Sequence, residues 1–263
     1  MAEWIKQRKC LNFLGKLSLK PMNLVLFQTL LHVKLVSLTN SGSLLRSTVS
    51  TKLKWKSLHY VLVNLQVFKV TIFYCKVLFF VLASYKLKNP DKFEFSRKIN
   101  KIVVHPNFNP LTLNSNIALL KLPSELPFGN VSAHVSAICL PAMERDIDEQ
   151  ANLIKIATIS GWNKQKVVEE LLTANVTILK QSECVVPAKS VTQENICSRG
   201  QLSTGLACNH FNGEPLITYD NLKNQWQLIG VASFSECSTF PVPNVYTRVS
   251  KYLDWIMKTM SEN

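Results

Sequence analysis

The amino-acid sequence predicts an all-β protein that ends in a helix. The prediction rests on short motifs that follow one another through about the last two-thirds of the 263-residue chain. Residues 60–85 are also rich in β-branched and aromatic side chains, which favour strands, and residues 63–67 and 68–72 alternate apolar and polar side chains. The motifs are KIVVHPNF (101–108), NIALLKL (116–122), ICLP (138–141), SGW (160–162), CNHFNGEPL (208–216), NVYTRV (244–249) and YLDWI (252–256).

In this order and spacing the motifs resemble those of the trypsin-like serine protease family, over about residues 81–263. The resemblance implies a double antiparallel β-barrel with a C-terminal helix. It divides the matched region into later strands of a first barrel (81–125), a linker (126–150), and a second barrel with the terminal helix (151–263). Because only the later strands of the first barrel are matched, we expect that barrel to be incomplete or altered.

The resemblance also locates the loop that carries the catalytic nucleophile. Residues 208–216 read CNHFNGEPL where the family has Cys-x-Gly-Asp-Ser-Gly-Gly-Pro-Leu, so Asn212 holds the place of the serine. An amide nitrogen is not a usable nucleophile at neutral pH. The sequence therefore indicates its family and, at the same position, predicts that the family's chemistry is lost.

The other members of the catalytic triad are missing too. A triad needs a base for the nucleophile's proton and a buried carboxylate that holds the base, but Asn116 stands at the carboxylate's position and no Ala-Ala-His-Cys segment precedes it. In this protease class the Asp-to-Asn change is known to lower turnover about ten-thousand-fold, and loss of the serine or histidine costs on the order of a million-fold. We expect His32 and His59 to be structural or surface residues, and we expect His105 not to be catalytic.

The positions that support catalysis are altered as well. His210 replaces the glycine that lets a substrate carbonyl approach the oxyanion donors. Phe211 replaces the aspartate that receives the new N-terminus of an activated zymogen, and no Ile-Val-Gly-Gly activation sequence is present. The specificity pocket, which we expect to be a closed slot, maps to Leu206, Ser233, Phe234 and Asn244.

The cysteines match the scaffold of the family better than its active site. The resemblance implies one disulfide between Cys184 and Cys197 and another between Cys208 and Cys237. A third family disulfide would need cysteines at Ala157 and Thr218, and both are absent together. That paired loss leaves no stranded thiol and indicates a coherent fold, to which each retained bridge contributes about 2 to 4 kcal/mol.

The remaining cysteines and two sequons bear on the cellular compartment. The chain has seven cysteines, an odd number. In some relatives the position of Cys139 ties the barrels to an N-terminal segment, so its partner is Cys10 or Cys75, or it is free or bonded to another chain. Disulfides indicate an oxidising compartment, and Asn130 and Asn175 begin glycosylation sequons. We therefore expect an extracellular or secretory-pathway glycoprotein.

Residues 1–80 differ from the rest of the chain. They hold twelve Lys and Arg against one acid, a net charge of +11, whereas the other 183 residues hold eighteen against sixteen, a net of +2. Such a block is a binder of anionic surfaces, a transit-like leader, or a translated segment without selected structure. The alternation of Lys52, Lys54 and Lys56 with apolar residues could serve polyanions, although a solvated strand face is the favoured interpretation, and no specific nucleic acid is expected.

Neither a membrane span nor a secretory signal is well supported by the N-terminal sequence. A span over residues 61–85 would bury Lys69 and Lys76, each at roughly 2.5 to 3.5 kcal/mol near the bilayer centre. Residues 23–31 could form the apolar core of a signal peptide, but the run begins late and is interrupted by His32 and Lys34. We expect no membrane span, and the signal is not convincing.

The sequence shows no metal-ligand spacing, glycine-rich phosphate loop or internal repeat, so no metal or other cofactor is expected. The leading hypothesis is a catalytically inactive serine protease homologue, a pseudoprotease that acts by binding an unidentified protein. Two alternatives stay open. Family analogy alone suggests a serine endopeptidase with residual activity, and the lost motifs also allow a degenerate product without selected function.

Overall fold

The computed structural model describes residues 32–38, 44–50, 60–63, 78–82, 85–86, 92, 94–124, 138–141, 156–161, 170–187, 189–200, 213–234 and 242–262, the first four strands by their backbone alone. Strands are the main regular structure of these residues, which also form short 3-10 turns at Gln181–Glu183 and Val249–Tyr252 and an α-helix, α1, at Leu253–Glu262. The predicted all-β class with a C-terminal helix is confirmed.

The N-terminal half forms two antiparallel sheets in its described part. One sheet has the strand order β2-β1-β4-β5 and the other has the order β3-β7-β6. No closed barrel is found among the described residues of this half, and the expectation of an altered first barrel stays a prediction. The strands are β1 (His32–Leu38), β2 (Leu44–Ser50), β3 (Tyr60–Val63), β4 (Leu78–Leu82), β5 (Phe95–Lys98), β6 (Lys101–Val104) and β7 (Ala118–Lys121).

Two of these strands lie in the region where the composition favoured strands. β3 and β4 both fall within residues 60–85, so that prediction is confirmed at the level of the strand. Most of the two alternating runs, 63–67 and 68–72, lies outside the described residues.

The C-terminal half forms a closed six-stranded antiparallel barrel, the second barrel of the predicted fold. Its order is β10-β13-β12-β11-β8-β9, and β9 closes the barrel by pairing with β10. The strands are β8 (Ile156–Gly161), β9 (Leu172–Ile178), β10 (Asn195–Gly200), β11 (Pro215–Asp220), β12 (Gln225–Phe234) and β13 (Asn244–Arg248).

The barrel forms because alternate side chains of its strands meet at one centre. In β9 the exposed residues Thr173, Asn175 and Thr177 alternate with more buried neighbours, as a sheet with one solvated face requires. The buried side chains that make up the central cluster are Ala157, Ile159, Val176, Ile178, Ile196, Leu216, Ile229, Ala232 and Tyr246.

Tyr246 is the largest buried side chain of this cluster, and Gly230 makes room for it. A Cβ atom at Gly230 would lie 2.9 Å from the Cβ of Tyr246, closer than real side chains approach. The Tyr246 hydroxyl is satisfied by the Ser198 hydroxyl at 3.3 Å. The close approach of β12 and β13 therefore depends on a residue without a side chain.

Backbone hydrogen bonds join segments of the N-terminal half and the linker to the barrel. Cys139 donates from its N–H to the Trp226 carbonyl and accepts from Leu228 N–H, both at 3.0 Å, so the ICLP motif runs alongside β12. Farther away, Leu171 N–H donates to the Tyr85 carbonyl at 3.0 Å. The hydrogen bonds of Cys139 thus fix the linker to β12, and β12 runs on to Ser233.

The disulfide expected between Cys184 and Cys197 is present, which confirms that pairing. Its cysteines belong to a second buried cluster with Leu179, Val186 and Val245. Cys139 is also disulfide-bonded, so the free-thiol alternative is not the one found. Its possible partners Cys10 and Cys75, and the predicted pair Cys208 and Cys237, lie outside the described residues.

Candidate functional site

Asn116 occupies the position that the family resemblance assigns to the triad carboxylate. It lies near the end of the loop between β6 and β7 and is fully buried, with 0% of its surface exposed. Its side-chain Nδ2 donates a hydrogen bond to Ser233 Oγ at 2.9 Å, and its backbone carbonyl accepts one from Thr247 Oγ1 at 3.0 Å. One residue of the N-terminal half is therefore attached to both β12 and β13.

The loop before β7 is held by its own polar groups. Asn109 Oδ1 accepts hydrogen bonds from the N–H groups of Leu111 at 2.9 Å and Thr112 at 3.2 Å. Leu113 and Ser115 adopt φ angles of 63° and 50°, a left-handed conformation that is uncommon for residues other than glycine. These bonds and turns bring the buried amide of Asn116 into place.

The direction of the Asn116 hydrogen bond matters for the chemistry. An ionised carboxylate can only accept hydrogen bonds, whereas an amide carries two donor hydrogens and no charge. In the structure the amide donates to Ser233. A neutral side chain cannot stabilise an imidazolium in the way that the triad carboxylate does.

Ser233 and its neighbours are brought together with Asn116 by the end of β12. The family resemblance placed Ser233, Phe234 and Asn244 in the specificity pocket. In the structure Ser233 and Asn244 are buried. Phe234 is half-buried and packs against the cluster around the Cys184–Cys197 disulfide, with the Lys189 ammonium 5.8 Å from its ring centroid. The Ser233 hydroxyl thus contacts the buried triad position directly.

The nucleophile loop connects to the same strand. Gly213, the residue after Asn212, donates from its N–H to the Ala232 carbonyl at 2.9 Å, and Ala232 N–H donates to the Glu214 carbonyl at 2.8 Å. The dipeptide Ala232–Ser233 therefore binds the end of the nucleophile loop on one side and Asn116 on the other. The remaining predicted positions, which lie outside the described residues, are Leu206, His210, Phe211, Asn212 and the sequon at Asn130.

Glu214 was missed by the sequence reasoning. Only 1% of its surface is exposed, and a Cβ atom at Gly161 would overlap its carboxyl group. The family has a glycine at this position of the loop, so the signal was present in the reading GEPL in place of GGPL. A buried glutamate, two residues beyond Asn212 in the sequence, therefore packs against Gly161.

A second polar cluster surrounds His105 at the other end of the same loop. Tyr252 Oη lies 2.9 Å from Glu194 Oε2 and 3.3 Å from Ser115 Oγ. The His105 ring packs edge-on against Tyr252 and Trp255, with centroids 5.0 and 4.8 Å away. The cluster joins the loop before β7 to helix α1 and to the turn before β10.

The titration of this cluster follows from its burial. Burial lowers the pKa of His105, and the nearby Glu194 carboxylate opposes part of that shift. His105 Nδ1 accepts a hydrogen bond from Asn107 N–H at 3.2 Å, which fits the neutral ring. Burial, the leading cause, raises the pKa of Tyr252. These contacts pack His105 against the C-terminal turn and helix α1.

Asn175, the second predicted glycosylation position, is exposed on β9. Its side chain Oδ1 accepts a hydrogen bond from Thr158 Oγ1 at 3.1 Å.

In the described part of the chain, no group of three or more His, Cys, Asp or Glu residues is arranged to hold a metal ion. Nor does any helix among these residues have the length and apolar character needed to span a bilayer.

Comparison with known proteins agrees with this architecture. A family model described as Trypsin matches residues 59–256, beginning earlier than the boundary of 81 drawn from the motifs. Vitamin K-dependent protein C of Oryctolagus cuniculus is 28% identical over 201 residues, which cover 71% of this chain and 42% of that protein. Ovochymase of Halocynthia roretzi is 29% identical over 168 residues, 61% of this chain and 10% of that protein. The chain matches less than half the length of either relative.

Proposed function

Since this chain belongs to the trypsin family, we propose that it is a catalytically inactive member that acts by binding another protein. The observation that carries the proposal is the buried amide of Asn116, which donates to Ser233 at the place of the triad carboxylate. A protease of this family depends on that carboxylate to hold and charge-stabilise its histidine. An uncharged donor at 0% exposure supplies neither function.

The sequence around this position supports the same conclusion for the base. β3 pairs with β7 so that Val63 is the partner of Ala118, two residues after Asn116. The five residues that follow Val63 in the sequence are Asn, Leu, Gln, Val and Phe, and none of them has a basic nitrogen. His59 precedes the opposite end of β3, where Tyr60 is the partner of Lys121. The described strand β3, Tyr60–Val63, thus contains no histidine.

The lack of charge at position 116 also fits the absence of a base. A buried carboxylate without a cationic partner is costly, because the desolvation of its charge is not repaid. Once no histidine is available to become an imidazolium, an amide is the less costly residue at position 116. The neutral Asn116 therefore fits a site in which the base was lost as well.

The retained scaffold supports a role in binding. The second barrel is closed, its central cluster is filled, and the Cys184–Cys197 disulfide is present. A sequence released from all selection loses such features as readily as it loses a catalytic serine. We therefore favour a folded binding protein over a degenerate product, and cooperative unfolding of the purified chain is the result that supports this preference.

Hydrolysis of peptide esters tests the inactive assignment. We expect the rate of ester hydrolysis with the purified chain to equal the uncatalysed rate. We expect the same for Asn212→Ser, because restoring the nucleophile leaves the carboxylate and the base absent. The double variant Asn212→Ser with Asn116→Asp serves as the control that restores two positions. The proposal would be contradicted if the unmodified chain hydrolysed the ester and the variant Asn116→Ala did not.

A further inference from the structure

Asn175 presents its side chain on the outer face of β9. Its Oδ1 accepts the hydrogen bond from Thr158 Oγ1 at 3.1 Å, and no hydrogen bond of the described residues uses its Nδ2. An N-linked glycan is attached through that nitrogen and leaves the carbonyl oxygen as an acceptor. The bond to Thr158 is therefore compatible with a glycosylated side chain and would hold it against β8.

The other residue that the sequon requires lies on the same face. Asn175 and Thr177 are two residues apart on a strand, so their side chains leave the same side of the sheet. Both are exposed, whereas Val176 between them is buried in the central cluster. The strand thus presents the amide and the hydroxyl of the acceptor sequence together to solvent.

The register of the barrel places aliphatic side chains beside this amide. Thr158 is the partner of Asn175, and Ile156 is the partner of Thr177. Ile156 is therefore a diagonal neighbour of Asn175, about 7 to 8 Å away, and 63% of its surface is exposed. On the far side of β8, the half-buried Ile217 of β11 is the partner of Thr158.

Two aromatic rings continue this apolar surface. Tyr219 lies two residues beyond Ile217 on β11 and so shares its face, and it is the register partner of Trp226 on β12. The two rings pack edge to face with centroids 5.3 Å apart, and both are half-buried. The four residues Ile156, Ile217, Tyr219 and Trp226 are named here the outer strip.

The strands that carry the outer strip are almost free of charge. β8, β9 and β12 contain no Asp, Glu, Lys or Arg, and β11 contains only Asp220 at its end. Sugars of the glycan core are neutral. Their rings pack carbon-bound hydrogens on aliphatic and aromatic side chains, and their hydroxyls form hydrogen bonds with threonines. An uncharged, partly apolar strand surface beside a glycan acceptor therefore suits the glycan itself as its cover.

We propose that Asn175 carries an N-linked glycan whose first sugars lie on the outer strip. The Cys184–Cys197 disulfide indicates an oxidising compartment, and the secretory pathway, where N-linked glycans are added, is such a compartment. The glycan removes apolar surface of Ile156 from water and so stabilises the barrel. This proposal does not depend on catalytic inactivity.

Mass spectrometry of the peptide that contains Asn175 tests the modification, with the full chain secreted by animal cells behind an added signal peptide. We expect this peptide to carry a glycan in the unmodified chain and in Thr177→Ser, which keeps the hydroxyl of the sequon. We expect none in Thr177→Val, which removes the hydroxyl and keeps a β-branched side chain suited to a strand. An unoccupied Asn175 in the secreted, unmodified chain overturns the proposal.

Melting temperatures before and after treatment with a peptide-N-glycosidase test the packing on the outer strip. The enzyme leaves aspartate at position 175 in every sample, so the effect of that charge cancels when variants are compared. We expect glycan removal to lower the melting temperature of the unmodified chain by about 2 to 4 °C more than that of Ile156→Thr, which lacks the aliphatic contact.

The matched control is Val185→Thr, an equally conservative change at an exposed apolar residue in the connection after β9. We expect glycan removal to lower its melting temperature as much as that of the unmodified chain. Equal shifts for the unmodified chain and Ile156→Thr overturn the packing of the glycan on the outer strip.

Discussion

Asn116, a neutral side chain, stands where the family resemblance places the triad carboxylate. Its burial and its hydrogen bond to Ser233 are those of a structural residue. Thr247 also binds its backbone carbonyl. Asn116 therefore attaches the N-terminal half of the chain to strands β12 and β13.

The substitution Asn116→Asp tests this role. A carboxylate in a buried site without a cationic partner has a raised pKa, so the folded variant holds its proton to a higher pH than the unfolded chain, and stability is lost as pH rises above about 4. We expect the free energy of unfolding to fall by on the order of 3 kcal/mol at neutral pH, measured by urea unfolding at pH 5 and 8. The exposed Asn100→Asp is the control, and equal stability of Asn116→Asp at both pH values contradicts this role.

His105 gives the fold a dependence on pH with the opposite sign. Because burial lowers its pKa in the folded state, the unfolded chain binds the proton more readily. The stability that depends on a neutral His105 is fully present above about pH 6.5, the pKa of a free histidine, and is lost as pH falls through the lower folded pKa.

The variant His105→Gln is expected to flatten the pH dependence of the melting temperature between about pH 5 and 7. Glu194→Gln is the informative companion, because it removes the carboxylate that supports protonation of His105 and should steepen the loss of stability on acidification. A melting temperature of the unmodified chain that rises as the pH falls from about 7 to 5 would contradict this role of His105.

Strands of the second barrel pack against a buried cluster that contains the Cys184–Cys197 disulfide, and this packing stabilises the barrel. Cys184 follows the 3-10 turn after β9 and Cys197 lies within β10, thirteen residues apart in sequence. Val245 of β13 packs against both. The bridge therefore joins the connection after β9 to strand β10. Phe234 packs against the same cluster.

Replacement of both cysteines by serine is expected to lower the free energy of unfolding by about 3 kcal/mol, since the bridge closes a short loop in the unfolded chain. Chemical denaturation of the unmodified and variant chains under non-reducing conditions measures the difference. Val185→Ser, an exposed position between the two cysteines, is the control and should change stability little. A double variant as stable as the unmodified chain shows that the cluster does not need the bridge.

The sequence predicted an element correctly where a recognisable motif also fixes a buried strand or a covalent bond. The second barrel, helix α1 and the Cys184–Cys197 pair follow from motifs that fix buried strands and a short covalent link. The N-terminal sheets could not be predicted in the same way, because the register of β1 with β2 and of β3 with β7 depends on long-range pairing that no local pattern specifies.

The candidate site was predictable only in part. Substitution at Asn116 could be recognised from the motif, but its hydrogen bond to Ser233 spans 117 residues of sequence and needed the structure. The family resemblance assigned Ser233 to the specificity pocket, and its contact with Asn116 became visible only in the structure. Glu214 was overlooked because a glutamate next to a proline reads as a surface residue, whereas here it is buried over Gly161.

The whole molecule combines a retained second barrel with a strongly basic N-terminal half. Hydrogen bonds of Asn116, Tyr252 and Cys139 connect the two halves and the linker. Such links favour unfolding as one cooperative unit over separate unfolding of the barrel. The scaffold of the trypsin family is therefore combined in this protein with a strongly basic N-terminal half.

The most direct test of catalytic inactivity is covalent labelling of the purified chain with a fluorophosphonate, read by mass spectrometry of its peptides. An activated serine in the trypsin fold reacts with this reagent because a base and a carboxylate raise its nucleophilicity. We predict no labelled serine within residues 59–256 under conditions that fully label an active family member. A fluorophosphonate adduct on any serine of that region would contradict the inactive assignment.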